Sequence, residues 1–304
     1  MTGRGPIIVT GGSGFVGRRA AKALLSLGFE THVIDLRDPE IDGVVFHQFD
    51  LLRGDGLSLV LHDIGAERLL HLAWCVAPGR FWTDPANLDW TAASLRLFRA
   101  FADEGGTRIV GAGTCAEYDW ALETLDERTT PLAPRTVYGA AKAATGTLLD
   151  IWGGGAGVST AWGRLFFLYG PGEARGRLVS DLCASLLAGQ RVACTDGKQI
   201  RDFMHVDDVG RAYALLAASD CKGPVNIASG SPTSVRLLIE LVAEKAGRRD
   251  LVDFGARSRA ENDPPVMTAA TQRLIEEVGF RPHYSLEKGL ADTIEWWRGK
   301  QGAL

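Results

Sequence analysis

The chain has 304 residues and a formal net charge of −4 at pH 7. This length supports one large domain or two modest ones, and the acid excess argues against nucleic-acid binding as the main activity. The chain has no apolar run of the ~18 residues that a membrane span needs, and its five cysteines form no C-x-x-C pair that would suggest a disulfide framework or a zinc site. We therefore expect a cytoplasmic protein with no membrane partner, no nucleic-acid partner and no bound metal.

The chain opens with the pattern of a strand, a glycine turn and a helix. Residues 7–10 are apolar and β-branched, four glycines follow, and residues 18–27 are amphipathic. Two overlapping spacings, G-x-G-x-x-G and G-x-x-G-x-x-G, share Gly14 and Gly17, and the wider one begins at Gly11. Glycines at this point let backbone N–H groups reach a phosphate at a helix N-terminus. A tight turn in any α/β protein is the alternative, so the context decides.

The second predicted strand supplies that context. Residues 31–36 read THVIDL, and Asp35 lies 18 residues after Gly17. An acid at the end of this strand accepts hydrogen bonds from the ribose hydroxyls of an adenosine, and its charge repels a 2′-phosphate. This pattern favours NAD over NADP, while Arg37 leaves NADP open as the less favoured cofactor.

Further short apolar segments alternate with helical ones. The predicted strands span 44–49, 68–74, 107–111 and 158–168, and the predicted helices between them span 87–101 and 140–152. This alternation predicts a Rossmann-type doubly wound parallel sheet. We predict that residues 153–157, GGGAG, stop the second of these helices.

The alternation of short apolar segments and helical segments changes near residue 170. Helical patterns cover 178–188, 207–218, 233–246 and 285–297, and a loop is predicted at 196–203. We predict an NAD-binding domain over 1–169, to which 207–230 returns, and a smaller α/β substrate domain over 170–304. In such folds the ligand lies beyond the carboxyl ends of the strands. The predicted cofactor-binding residues are Gly11, Gly14, Phe15, Val16, Asp35, Leu36, Arg37, Asp50, Leu51, Leu72, Ala73, Trp74, Tyr138 and Lys142.

A Y-x-x-x-K spacing carries the predicted chemistry. Tyr138 and Lys142 are four residues apart, hence on one face of a helix. A positive charge at Lys142, beside the nicotinamide cation of the cofactor, is expected to lower the pKa of the Tyr138 phenol toward neutrality. A phenolate can then remove a hydroxyl proton while hydride leaves the adjacent carbon. Thr114, after the fifth strand, is positioned to donate to the same oxygen. This spacing is common by chance, and the preceding glycine turn and Asp35 give it weight.

Together these segments resemble the extended short-chain dehydrogenase/reductase superfamily, in particular its NAD-dependent nucleotide-sugar epimerases and dehydratases. The resemblance rests on TGGSGFVG at 10–17, Asp35, HLAW at 71–74, GTCAEY at 113–118, YGAAK at 138–142, RLFFLYGPG at 164–172, RDFMHVDDV at 201–209, NIASG at 226–230 and SLEKGLADTIEWW at 285–297. It implies a bound NAD, a Thr114, Tyr138 and Lys142 catalytic set, and a nucleoside-diphosphate sugar substrate. It also implies a homodimer formed through the helices near 87–104 and 138–152.

The resemblance further implies a set of substrate-binding residues: Asn87, Phe167, Arg201, Arg259 and Asp263. Arg201 matches the arginine that family members direct at the diphosphate, and a guanidinium suits phosphate because it binds two oxygens at once. Phe167 stands where many members have an asparagine that helps to hold the diphosphate. His205 is interpreted as a structural residue that caps a helix.

Two positions depart from the dehydratase pattern. Sugar 4,6-dehydratases place Asp-Glu directly after the catalytic threonine, whereas this chain has Cys115 and Ala116. Glu117 is one position out of register and is interpreted as structural. These departures argue against dehydration and against decarboxylation of a uronate. They leave 4-epimerisation as the leading hypothesis, reduction of a 4-keto-6-deoxy sugar nucleotide as the alternative, and a non-enzymatic redox-sensing or RNA-associated protein as a third.

Overall fold

The computed structural model describes residues 4–261 and 263–301. The elements of the first half are β1 (Arg4–Thr10), α1 (Gly17–Ser26), β2 (Phe29–Asp35), β3 (Val44–Gln48), α2 (Leu57–Ile64), β4 (Arg68–His71), α3 (Ala86–Asp103), β5 (Arg108–Thr114), β6 (Thr124–Leu125), α4 (Val137–Ala156) and β7 (Ser159–Leu165). Those of the second half are β8 (Phe167–Tyr169), α5 (Leu178–Leu187), β9 (Val192–Cys194), β10 (Ile200–His205), α6 (Val206–Ala218), β11 (Gly223–Ile227), β12 (Pro232–Ser234), α7 (Val235–Ala246), β13 (Val252–Phe254), β14 (Val266–Ala269), α8 (Gln272–Glu276) and α9 (Leu286–Gln301).

Seven of these strands form one parallel sheet in the order β11-β7-β5-β4-β1-β2-β3. Side chains along each strand alternate between the two faces of the sheet. Ile7 and Val9 of β1 pack with α1 and α6, and Ile8, between them, packs with α2 and α3 on the other face. Helices therefore cover both faces, and the predicted Rossmann-type fold is confirmed.

The second half builds smaller sheets beside this one. Strands β12, β10, β14 and β6 follow one another in a second sheet, in which β8 also pairs with β10, and β9 pairs with β13. Helices α5, α7 and α9 enclose a separate core that includes Leu182, Leu238 and Leu290. Two elements of this half lie with the first sheet, because α6 packs on α1 and β11 pairs with β7. The domain boundary at 169/170 remains a prediction.

Several predicted bounds were wrong. The predicted strand 158–168 is two strands, because the backbone turns at Phe166, whose N–H bonds to Ile227 O, and β8 then joins the second sheet. The predicted loop 196–203 contains the start of β10, which pairs with β12 and β14. Helix α4 continues through the first four residues of GGGAG and ends at Gly157, whose φ of 73° is the left-handed conformation that ends many helices.

Two strands also differ in length from the prediction. Strand β4 ends at His71, three residues before the predicted end, whereas β5 extends to Thr114. Within residues 4–261 and 263–301, no helix combines the length and the apolar character needed to cross a membrane.

Candidate active site

The glycine turn between β1 and α1 has the geometry that a dinucleotide phosphate needs. Gly11 has a φ of 72°, and a Cβ there would lie 2.7 Å from the backbone nitrogen of Ala73. A Cβ on Gly17 would lie 2.0 Å from the carbonyl oxygen of Gly11. No side chain caps the N-terminus of α1, so its positive end is available to an anion. The turn fits the diphosphate of NAD.

Asp35 lies at the end of β2, beside this turn. Its carboxylate accepts hydrogen bonds from the backbone N–H groups of Ser13, at 2.9 Å, and Leu36, at 2.7 Å. The side chain is half-buried, whereas Leu36 and Arg37 are exposed. The carboxylate therefore fixes the glycine turn against β2 and carries a negative charge at the place where the ribose of NAD is predicted.

We expect Asp35→Asn to lower the preference for NAD over NADP by about tenfold or more. The amide keeps an acceptor oxygen for only one of the two N–H groups, Ser13 or Leu36, and it removes a charge whose repulsion of a 2′-phosphate is worth roughly 1–4 kcal/mol at close range. Dissociation constants of both nucleotides, measured by calorimetry, give the ratio. Asp38→Asn, three residues along on an exposed loop, is the matched control; an unchanged ratio in Asp35→Asn would contradict the assignment.

Thr114, Tyr138 and Lys142 meet where β5 ends and α4 begins. Thr114 is the last residue of β5, and its side chain hydrogen-bonds with Tyr138. Helix α4 starts against the turn that follows β5, because Thr136 caps it and a Cβ on Gly139 would lie only 2.4 Å from Ala116 O. The structure thus brings together the three residues that the sequence predicts to be catalytic.

Lys142 is buried beneath this pair. It is 3% exposed, its Nζ donates to Ala112 O at 2.8 Å, and Nζ lies 3.8 Å from the ring centroid of Trp74. Burial lowers the pKa of Lys142 to about 7, and the nearby Glu117 carboxylate partly opposes this shift. The ammonium is therefore held by a carbonyl and an aromatic face, and its charge is poorly solvated.

The predicted lowering of the Tyr138 pKa, which counted the nicotinamide cation as well as Lys142, is not found in the protein alone. Burial raises the pKa of Tyr138 well above its usual value, and the hydrogen bond from Thr114 offsets only part of this rise. The Lys142 ammonium is engaged by Ala112 O and Trp74, so it does not stabilise the phenolate enough to outweigh desolvation. The resting phenol is neutral.

Aromatic side chains surround Tyr138, and of these the sequence singled out only Trp74. The rings of Phe81 and Trp82 stand edge-on to the Tyr138 ring, at centroid distances of 4.9 and 5.8 Å. Trp74 and Trp120 pack against the cluster that Phe81, Ala116 and Tyr138 form. The signal available in the sequence was the Phe-Trp pair between the predicted strand 68–74 and the predicted helix 87–101, because large apolar residues outside such elements often pack against a core.

The remaining predicted cofactor residues lie at the same edge of the sheet. Leu72, Ala73 and Trp74 follow the end of β4, and Leu72 N–H bonds to Thr10 O, which holds this segment beside β1. Asp50 and Leu51 follow β3, where Leu51 is buried and Asp50 half-buried. Their contacts with NAD remain predictions.

Four of the predicted substrate residues form one cluster around β10. Arg201 is 4% exposed and donates to the Asp263 carboxylate at 2.5 Å. Its guanidinium lies 5.5 Å from the ring centroid of Phe167. Arg259 also faces this carboxylate, with an Nε to Oδ2 distance of 3.8 Å. Two guanidinium groups therefore share one carboxylate, which leaves a net positive charge in the cluster.

Asn87 lies apart from that cluster, at the start of α3. Its amide donates to Phe81 O and Asp84 O, and its Oδ1 accepts from Trp74 Nε1 at 2.8 Å. The side chain is 2% exposed. This geometry gives Asn87 a role in holding the aromatic segment, and the predicted substrate contact has no support from it.

His205 is the residue that precedes α6, and its ring accepts a hydrogen bond from Asp207 N–H at 3.4 Å. The sequence interpretation of His205 as a structural helix cap is confirmed.

Residues 7–228 match the family described as the NAD dependent epimerase/dehydratase family. UDP-glucuronic acid decarboxylase 1 of Arabidopsis thaliana is 27% identical over 97% of this chain and 70% of its own length. The structure of a UDP-glucose 4-epimerase of Thermus thermophilus in complex with NAD is 26% identical, with a TM-score of 0.83 over 97% of this chain and 99% of the other. MoeE5 in complex with UDP-glucuronic acid and NAD is 30% identical, with a TM-score of 0.82 over the same shares.

These matches agree with the glycine turn, Asp35 and the Tyr138 and Lys142 pair. Because they run through most of the chain, this protein belongs to the NAD dependent epimerase/dehydratase family, a group of NAD-dependent sugar-nucleotide enzymes within the extended short-chain dehydrogenases/reductases.

Proposed function

We propose that the protein is a 4-epimerase of a nucleoside-diphosphate hexose. The observation that carries this proposal is the junction of Thr114, Tyr138 and Lys142 beside a turn that holds Cys115 and Ala116 in place of an acid and a base. Both residues after Thr114 are buried, at 8% and 2% exposure, and neither can act as a proton donor and acceptor pair for the loss of water. Oxidation at C4 followed by reduction on the other face needs only the three residues and the cofactor.

The chain's own groups divide this reaction between them. Bound NAD would supply the hydride acceptor for C4 and the hydride donor for its return. Tyr138 removes the proton from the C4 hydroxyl and gives it back, and Thr114 donates a hydrogen bond to the reacting oxygen as charge develops on it. A positive charge at Lys142 opposes the burial that keeps the phenol neutral. The aromatic residues around Tyr138 exclude water from this step.

The substrate diphosphate is assigned to the cluster of Arg201, Arg259 and Asp263. Arg201 is already fixed by Asp263 and lies over Phe167, so binding costs little side-chain entropy. A guanidinium supplies paired donors to phosphate oxygens. The Nη atoms of Arg201 already donate to Ile200 O, Asp263 and Pro264 O, so Arg259, which is half-buried, is the more accessible of the two.

The test is a search for bound cofactor and for inversion at C4. Purified protein is denatured and its supernatant assayed for NAD, and UDP- and dTDP-hexoses are followed by NMR with no added reductant. We expect bound NAD and the appearance of the C4 epimer. Turnover only in the presence of added NADPH would contradict the proposal.

Reduction of a 4-keto-6-deoxy sugar nucleotide is the second candidate. It is favoured by Phe167 in place of the asparagine and by the exposed Arg37 next to Asp35, where a 2′-phosphate would lie. It predicts a stoichiometric loss of NAD(P)H absorbance with a keto sugar. Constant absorbance across a panel of keto sugars would count against it.

We also propose that the protein is a cytoplasmic homodimer that pairs α3 and α4 of two copies. The two helices pack side by side, with Thr145 Oγ1 donating to Thr91 Oγ1. Their outward faces carry Leu88, Leu148 and Ile151, which are 64%, 48% and 71% exposed. Exposed apolar residues on neighbouring helices are typical of a contact between copies.

Ile151→Glu is therefore expected to produce a monomer, because it places a charge in an apolar interface. Sedimentation velocity at micromolar concentration measures the change. Leu59→Glu makes the same substitution at a 65% exposed leucine of α2 and should leave the dimer intact. An identical mass for both variants would contradict the proposed interface.

A further inference from the structure

Glu117 is a buried carboxylate directly beneath the catalytic set. It is 0% exposed and lies in the short 3-10 turn after β5. Its Oε1 accepts from Thr114 N–H at 2.8 Å and from Trp162 Nε1 at 2.9 Å, and its Oε2 accepts from Arg164 Nε at 2.8 Å. Each oxygen is therefore satisfied by protein donors, as a buried charge requires.

The backbone at Gly113 is shaped around this carboxylate. A Cβ at Gly113 would lie 2.5 Å from Glu117 Oε1 and 2.2 Å from Trp162 Nε1. Any other residue at Gly113 would displace the carboxylate or the indole, so the sequence leaves space for Glu117 one residue before the catalytic threonine.

Glu117 and Thr114 form a reciprocal cap that orients the threonine hydroxyl. The Glu117 carboxylate holds the N–H of Thr114, while Thr114 Oγ1 accepts from Ala116 N at 3.2 Å. Because Thr114 Oγ1 receives a hydrogen bond from the backbone of the same turn, its side chain is held within hydrogen-bonding reach of Tyr138. The carboxylate thereby holds the turn that places the Thr114 hydroxyl.

The charge of Glu117 also acts on Lys142. Lys142 Nζ lies 5.9 Å from the ring centroid of Trp162, and Nε1 of the same indole donates to Glu117 Oε1 at 2.9 Å. Burial lowers the pKa of this lysine, and the nearby Glu117 carboxylate raises it. Arg164 pairs with Glu117, and His71, behind Lys142, has a lowered pKa and stays neutral. The other titratable groups that face Glu117 are Cys115, Tyr118, Tyr138 and Tyr213, all neutral at pH 7.

We infer that Glu117 is a positioning residue for this reaction: through the N–H of Thr114 it holds the turn that places the Thr114 hydroxyl, and it puts a buried negative charge near the Lys142 ammonium, with Trp162 beside both. This inference rests on the proposed function, which assigns the reaction to Thr114, Tyr138 and Lys142. Glu117 contacts neither the sugar nor NAD in this assignment, and it acts only through the other residues.

The test compares Glu117→Gln with Glu127→Gln. The glutamine keeps an oxygen for Thr114 N–H and removes the charge. Glu127 is the matched control because it is a buried acid, 8% exposed, that accepts a backbone N–H from Asn226 at 2.7 Å. We expect kcat to fall about tenfold or more in Glu117→Gln. In the pH profile of kcat, the apparent pKa that belongs to Lys142 should fall by about one unit. Glu127→Gln should keep the wild-type pH profile.

A second readout needs no substrate. Lys142 Nζ lies over Trp74, so its protonation changes the tryptophan emission, and the difference between wild type and Lys142→Met isolates this signal. Its midpoint should lie near pH 7 in the wild type and about one unit lower in Glu117→Gln. A protein that failed to epimerise would refute the proposed function and still give this titration.

An equal midpoint in Glu117→Gln and wild type, with kinetics like those of Glu127→Gln, would overturn the inference. If Glu117→Gln does not fold because Arg164 is left unpaired, the double variant Glu117→Gln/Arg164→Met removes both charges. It should keep the lowered kcat, and wild-type kinetics in the double variant would equally overturn the inference.

Discussion

Replacing Tyr138 with phenylalanine is expected to reduce kcat by roughly 10²–10⁴-fold while NAD binding is retained. The variant loses only the phenol oxygen, which is the proposed acceptor of the C4 hydroxyl proton. The ring stays packed edge-on against Phe81 and Trp82, so stability should change little. Kinetics with the active sugar nucleotide and a calorimetric titration with NAD measure the two effects.

Tyr169→Phe is the control for this variant. Tyr169 is another buried tyrosine whose pKa is raised by burial, and its hydroxyl donates to Leu286 O at 3.3 Å. We expect its activity to stay close to wild type. Equal activity in wild type and Tyr138→Phe would remove the catalytic assignment and would favour the third hypothesis, a binding protein that retains the cofactor fold.

The pH dependence of the wild type follows from the same geometry. Burial raises the pKa of Tyr138 and lowers that of Lys142 to about 7. The phenol must lose its proton for oxidation and is neutral at rest, so oxidation should become faster as the pH rises. Loss of the Lys142 charge works against this trend, because a neutral lysine no longer assists the phenolate.

Lys142→Met is expected to make the enzyme more stable and far less active. We expect kcat to fall roughly 10²–10³-fold, as for other charge-stabilising groups. In the wild type the folded-state pKa of Lys142 is about 7 and its ordinary value is 10.5. Below pH 7 the lysine is charged in both states and its burial destabilises the fold. Removing the charge should therefore raise the free energy of unfolding at pH 7 by about 1–3 kcal/mol, after the lost hydrogen bond and cation–π contact are counted.

The pH dependence of this gain gives the sharper test. Between pH 7 and about 10.5 the unfolded chain holds a proton at Lys142 that the folded chain has lost, so wild-type stability rises with pH. The methionine variant lacks this dependence, and its advantage should shrink as the pH is raised through this interval. Urea unfolding of nucleotide-free protein at both ends of the interval measures the difference. A variant less stable than wild type at pH 7 would show that burial of the charged lysine does not destabilise the fold.

The sequence predicts the catalytic set well because its residues are placed by short-range rules. A glycine turn must follow β1, an acid can only reach the ribose from the end of β2, and residues 138 and 142 share a helix face wherever the helix lies. The parallel order of the strands then brings Thr114 to the same edge. These relations need only the strand and helix periodicities and the known topology of such sheets.

The environment of these residues could not be predicted in the same way. The pKa of Tyr138 depends on how deeply Phe81 and Trp82 bury it, and these residues lie more than fifty positions upstream. In the sequence, Glu117 is one position out of the dehydratase pattern, and this indicates only a structural role. Its effect on the site depends on Trp162 and Arg164, which only the tertiary fold brings next to it.

Asn87 shows the same limit for a residue assigned by resemblance. The family pattern places it at the substrate, and only the packing reveals that its amide is engaged by its own loop and by Trp74. A pattern of residue types records which side chains are present, whereas the partners of a buried amide depend on how the chain folds around it.

Strand β11 completes the large sheet, and helix α6 covers it, from a part of the chain that is synthesised late. This order has a consequence for biosynthesis. Residues 206–227 complete a layer whose other strands end at Leu165, and Gly210 approaches Arg19 so closely that a Cβ there would lie 2.3 Å from the Arg19 Cβ. During translation, β7 stays an open edge strand and one side of α1 stays uncovered until roughly sixty further residues have emerged from the ribosome. Completion of the nucleotide-binding layer is thus coupled to synthesis of the neighbouring half, and nascent chains in this interval are the ones most exposed to chaperones and to aggregation.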